Sequence, residues 1–167
     1  PPVKLRNAKP RFKFNSAISL ENCKIHDNAL GGAFIKGGDK RALLPSGNLV
    51  RNCEFYRNSR AGLKYSPSLS LYDVGARVAN CLFRDDPFNT LQFGGNDLVI
   101  EKNRFERICQ NISDMGVVYT GRNPSDKGNV IRKNFFSECL AKDGDCRIRG
   151  VYIDDGSGGY DIRENIF

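Results

Sequence analysis

Histidine occurs once in this chain of 167 residues, and no two of its six cysteines form a CxxC pair. Structural zinc sites are built from such ligands, so neither zinc nor another transition metal is expected. No cofactor is expected either, beyond a weakly held Ca²⁺ where carboxylates adjoin. No apolar stretch approaches 18 residues, which excludes a membrane-spanning helix and with it a membrane partner. Basic residues outnumber acidic ones by 26 to 19, for a net charge of +7, yet no five of them run together. That excess suits polyanions in general. Zinc-finger spacing and RNA-type aromatic motifs are both missing, so nucleic acid is not expected. No window offers a long amphipathic helix, and the leucine ladder of a leucine-rich repeat is absent as well.

What is present is a repeat. Six segments share one template: "LENCKI" (20–25), "VRNCEF" (50–55), "VANCLF" (78–83), "IEKNRF" (100–105), "IRKNFF" (131–136) and "IRENIF" (162–167). Each has an aliphatic residue, two variable ones, Cys or Asn, one variable, then Phe or Ile. The Cys/Asn position falls on Cys23, Cys53, Cys81, Asn103, Asn134 and Asn165, at intervals of 22 to 31 residues. Between these lie short runs that end at or near glycine, such as "GAFIKGG", "SLSLYDVG", "TLQFGG", "GVVYTG" and "GVYIDDG". Several alternate apolar with polar residues, the period of a strand with one face buried.

Such periods predict an all-β chain, a right-handed parallel β-helix of about five to six coils. Its coils stack about 4.8 Å apart, with Phe55, Phe83, Phe105, Phe136 and Phe167 as an inward ladder. Asn at the bend is expected to take a left-handed backbone and to bond to the next coil. Cysteine in that slot reads as packing. The β-helix is expected over residues 18–167, with 1–17 as a partial cap or the remnant of a preceding coil. The start at Pro1-Pro2 and the stop at Phe167 inside a repeat suggest a piece of a longer protein, incomplete at its C-terminus. Cys139 and Cys146 flank a short polar loop and are candidates for a disulfide in a secreted protein. Asn111-Ile112-Ser113 fits a glycosylation sequon under the same condition.

Alternation along "GVYIDDG" turns Val151 and Ile153 inward, with Tyr152 and Asp154 outward. The same logic exposes Gln92 beside inward Leu91 and Phe93. Lys36, Tyr72 and Thr120 are assigned to that outer face, with Asp39, Asp97 and Arg122 near the strand ends. Tyr119 is equally open to packing or to ligand contact. Asp154 and Asp155 stop a strand before a Gly-Ser-Gly-Gly turn. They suit a turn, a cation site or half of a catalytic acid pair, and turn formation alone accounts well for Asp155.

The stretches "GGDKRALLPSGN" (37–48), "YSPSLSLYDVGARV" (65–78), "LQFGGNDLVIEKN" (91–103), "SDMGVVYTGRNPSDKGNVIRKNFF" (113–136) and "GVYIDDGSGG" (150–159) resemble the β-helix of carbohydrate-active proteins. Glycoside hydrolase family 141 is the nearest match. The resemblance spans residues 18–167 and implies cleavage of glycosidic bonds in plant cell-wall polysaccharides, in an extracellular or periplasmic setting. It implies carboxylates at Asp114, Asp154 and Asp155. The chain departs from the family pattern at Ser113, where a second acid is usual, and at Asn123, where Asp is usual. It departs also at Arg84 and Phe88, where His is frequent.

Glycoside hydrolysis needs two carboxyls, about 5 Å apart in retaining enzymes. Setting Gly116 level with Gly150 places Asp114 and Asp154 six residues apart along the strand, about 20 Å. They form a pair only if the loop from Gln110 to Asp114 folds back over the groove. A polysaccharide or oligosaccharide is the expected partner. Lyase action on a uronate polymer is the enzyme alternative, with Lys36 and Arg122 as neutralisers of the carboxylate. A non-catalytic carbohydrate-binding or structural β-helix is the third reading, and the departures favour it. Oligomeric state is not legible.

Overall fold

The computed structural model describes residues 11–13, 17–61, 65–140 and 147–167. They form a right-handed parallel β-helix with three faces. The first sheet holds β1 (Arg11–Lys13), β4 (Ala33–Lys36), β7 (Leu69–Val74), β10 (Leu91–Asn96), β13 (Met115–Gly121) and β16 (Ile148–Asp154), in that order. The second runs from β2 (Ser19–Glu21) through β5 (Leu49–Arg51), β8 (Arg77–Ala79), β11 (Val99–Glu101) and β14 (Asn129–Arg132) to β17 (Tyr160–Arg163). The third stacks β3 (Lys24–His26), β6 (Glu54–Tyr56), β9 (Leu82–Arg84), β12 (Arg104–Glu106) and β15 (Phe135–Ser137). β11 pairs β14 in parallel, Ile100 opposite Ile131, as coil stacking requires. Of the segment 1–17, Arg11–Lys13 joins the first sheet beside β4. The expected Cys139–Cys146 pairing falls partly outside the described residues, since it needs Cys146.

Inside, the expected ladder forms. Phe55, Phe83, Phe105, Phe136 and Phe167 stack with ring centroids 4.8, 5.1, 4.7 and 4.9 Å apart and planes within 16°. One ring per coil at the coil spacing makes a continuous aromatic column, each ring within the range of favourable stacking.

The bends carry a correction. The left-handed residue is not the Cys or Asn but the one before it: Asn22, Asn52, Asn80, Lys102, Lys133 and Glu164, all at φ of 52–56°. Its side chain can be of any length, because it faces outward. The Cys/Asn position turns inward and bonds from coil to coil. Asn165 Oδ1 accepts the Asn134 N–H at 3.0 Å, Asn134 Oδ1 accepts that of Asn103 at 3.0 Å, and Asn103 Oδ1 accepts that of Cys81 at 2.9 Å. Each amide also donates back to a carbonyl, as Asn134 Nδ2 does to Ile100 O at 3.0 Å. Cysteine reproduces both halves. Cys53 N–H donates to Cys81 Sγ at 3.5 Å, and Cys53 Sγ–H donates to Leu20 O at 3.3 Å. A weak donor and acceptor on a small side chain explains why Cys and Asn interchange here.

A second corner is polar as well. Asn28 and Asn58 stack, and one coil further on Asp86 accepts the Asn58 N–H at 2.9 Å and the Ser68 hydroxyl at 2.5 Å. The Thr90 hydroxyl donates to the same carboxylate. Outside, a third ladder of left-handed residues alternates in sign: Asp27, Arg57, Asp85, Arg107 and Glu138. Arg57 binds Asp27 at 2.7 Å, and Arg107 binds Asp85 at 2.6 Å.

Candidate functional site

The outward face of the first sheet shows what the fold does with its glycines. Lys36, Tyr72 and Gly94 stand level on successive coils. On the next coils Gln92 stands opposite Tyr119 and Gly121 faces Asp154, and Gly94 and Gly121 line the same cavity. Two consecutive coils therefore present bare backbone between a tyrosine and an aspartate. Both neighbours lean over the gap. A methyl on Gly94 would lie 3.0 Å from Tyr72 Cδ1 and 3.1 Å from Asp126 Oδ2; one on Gly121 would lie 2.8 Å from Asp154 Cβ. The result is a cavity of about 380 Å³, walled by Tyr72, Gln92 and Tyr119 and by loops that bring Lys40 and Asp126 together.

The polar groups here have distinct tasks. Tyr72 Oη accepts from Gln92 Nε2 at 2.8 Å, and burial raises the Tyr72 pKa, so the phenol stays protonated with its own hydrogen to offer. Gln92 Oε1 is buried with no hydrogen-bond partner among the described residues. Lys40 pairs with Asp126, which is buried although its backbone belongs to a loop. Asp154 Oδ2 accepts the Tyr119 hydroxyl at 2.9 Å, and its Oδ1 accepts the Asp155 N–H at 3.0 Å. Burial and that bond to Asp154 push the Tyr119 pKa well above the phenol range. Asp155 behaves otherwise. It sits at φ 40° before Gly156, exposed, and accepts from Arg122 Nε at 2.8 Å.

Residues 11–167 match the family described as the right handed beta helix region. The chain belongs to the right-handed β-helix family. No curated protein and no solved structure matches it.

On this β-helix, five of the residues placed on the outer face or proposed as site residues from sequence line the cavity: Lys36, Tyr72, Gln92, Tyr119 and, though its side chain is buried, Thr120. Asp154 is not among the lining residues but adjoins two of them, accepting the Tyr119 hydroxyl and standing level with Gly121, and Tyr152 packs edge-on against Tyr119 at 5.7 Å. The others lie elsewhere. Asp39 caps its own loop, accepting the N–H groups of Arg41 and Ala42 at 2.9 and 3.3 Å. Asp97 is a left-handed bend residue packed against Gly128. Arg122 is turned toward Asp155. Asp114 precedes β13, level with Arg147, and pairs with Arg149 at 3.0 Å. Asp154 is level with Gly121, so seven strand positions, about 23 Å, separate the two acids along the sheet. The structure does not bring them together.

Two assignments are corrected. Gly116 pairs with Arg149, not Gly150. Thr120 points inward, level with Ile153, and is 2 % exposed. Lys40 and Asp126 escaped the sequence reading altogether, because 86 residues separate them. The legible signal was the Gly-Gly pair in "LQFGG", which marks close approach of something to the backbone. The lone His26 stacks on Tyr56 at 4.4 Å, away from the cavity.

Among the described residues no three His, Cys, Asp or Glu side chains cluster as metal ligands. Among the described residues no helix is long and apolar enough to cross a membrane.

Proposed function

We propose that the cavity on the first sheet is a carbohydrate site and that this β-helix binds a polysaccharide there. One observation carries the reading. The bare backbone at Gly94 and Gly121 is flanked by the Tyr72 hydroxyl, by the Gln92 oxygen and the Lys36 ammonium, neither with a partner among the described residues, and by Asp154 level with Gly121. A sugar ring offers apolar faces to tyrosine and hydroxyls that both donate and accept, which is what that ring of groups requires.

Hydrolysis of the bound glycan, as in glycoside hydrolase family 141, is the second reading. It is favoured by two carboxylates that converge on adjacent glycines, Asp126 above Gly94 and Asp154 above Gly121. Lyase action on a uronate polymer would instead rest on Lys36 as neutraliser.

The test is binding of plant-type oligosaccharides, neutral and uronate-bearing, followed by calorimetry and by amide shifts. Tyr72→Ala and Gln92→Ala are expected to weaken binding at least tenfold, with shifts centred on residues 92–95 and 119–121. Binding that leaves those amides unmoved refutes the site. Release of new reducing ends establishes hydrolysis, and an unsaturated product absorbing in the ultraviolet establishes lyase action. Binding without either leaves a recognition module.

A further inference from the structure

Three coils in succession carry a free cysteine in the bend ladder: Cys23, Cys53 and Cys81. Since Glu21 stands opposite Arg51 and Lys24 opposite Glu54, Cys23 and Cys53 are level. One coil spacing, about 4.8 Å, lies inside the Cα separation that a disulfide accepts, about 4.4–6.8 Å. A cleft of about 370 Å³ opens onto both, with Lys24 in its wall. We propose that Cys23 and Cys53 are a redox site, joined by a reversible disulfide that staples two neighbouring coils.

The surroundings decide which pair joins. β2 and β3, which flank Cys23, are the last strands of their sheets among those described, each bonded on one side only. The small approach of Cβ atoms that a disulfide needs therefore moves one edge coil. Cys53 and Cys81 are both buried, and each is held by strands paired on both sides, so joining those two would have to move an interior coil. Cys53 is the reactive member. Hydrogen bonding with the Cys81 thiol draws it down to about 7 against the opposing effect of burial, whereas burial raises Cys23. A thiolate near neutral pH is the nucleophile of disulfide exchange.

The oxidant is a small disulfide, RSSR. Cys53 thiolate attacks one sulfur, the S–S bond breaks, and RS⁻ leaves and takes a proton. Cys23, losing its proton, then attacks the Cys53 sulfur of the mixed disulfide and expels the second RS⁻. Two protein thiols are oxidised and RSSR is reduced to two RSH.

Native protein is incubated with oxidised glutathione at pH 7.5, then alkylated, digested and mapped by mass spectrometry. The expected product has lost two hydrogens and contains one linked pair of peptides, bearing Cys23 and Cys53, that dithiothreitol separates. Cys23→Ser should stop at a glutathione adduct on Cys53, Cys53→Ser should form no link, and Cys81→Ser should still form it. Thiols that remain unchanged, or a link that maps to Cys81, overturn the proposal. So does an adduct on Cys23 in preference to Cys53 when each is left alone.

Discussion

Replacing Asp86 by Asn should make this protein more stable at pH 7 than at pH 4, relative to the unaltered chain. The carboxyl is wholly buried, and desolvation raises its pKa to about 6 against the pull of the Ser68 and Thr90 hydroxyls and the Asn58 N–H. In the unfolded chain it returns to about 3.9. A folded pKa above the unfolded one favours the protonated form in the fold. The stability it brings is complete below pH 4 and is lost as pH rises through 6. Two pKa units correspond to about 3 kcal/mol. Asn cannot ionise and extends the Asn28–Asn58 ladder by one coil. Any fixed loss, such as a poorer bond to Ser68, is the same at both pH values and cancels in the comparison. Urea unfolding of both proteins from pH 4 to pH 8 measures it. The stability difference should move by about 2–3 kcal/mol in favour of the variant, mostly between pH 4 and 7. A difference that stays flat within half a kcal/mol refutes the buried-carboxyl account.

Phe105→Ala removes the middle ring of the column and should destabilise by about 3–5 kcal/mol in denaturant titration. A loss below 1 kcal/mol would show that the column is not a packed core. Asn134→Ala breaks a buried amide that serves two coils and should cost about 1–3 kcal/mol, with faster amide exchange at Asn103. If glycan turnover is found, Asp154→Asn should lower its rate by about 10²–10⁴-fold with little change in melting temperature. Asp114→Asn, at the far end of the sheet, should leave most of the rate, and equal losses would tie the two ends functionally. Asp155 is engaged by Arg122, so millimolar calcium should raise the melting temperature more in Arg122→Ala than in the unaltered protein. No shift in either would leave Asp154 and Asp155 without a role in holding a cation.

The three sheets and the aromatic column were legible because stacking repeats one residue type per coil, and the interval exposes the ladder. The left-handed residues were not. They face solvent, where Asn22, Lys102 and Glu164 serve alike. Thr120 belongs to the inner face, because Val118, level with inward Leu91, sets its parity inward. Half of the candidate site was readable from strand alternation, as with Lys36, Tyr72 and Gln92. The wall formed by Lys40 and Asp126 depends on two loops meeting across several coils, and no local pattern records such a meeting.

A stack of near-identical coils has a weakness in assembly: slipped by one coil, phenylalanine still meets phenylalanine and asparagine still meets asparagine. The outer ladder of Asp27, Arg57, Asp85, Arg107 and Glu138 does not tolerate that slip. Skipping a coil brings Asp27 against Asp85, or Arg57 against Arg107, so that the skipped junction pairs like charges. Each such contact disfavours the wrong partner. The ladder thus works as a parity check on coil order. Genes that gain or lose coils in this region would keep their fold most readily when they do so two at a time.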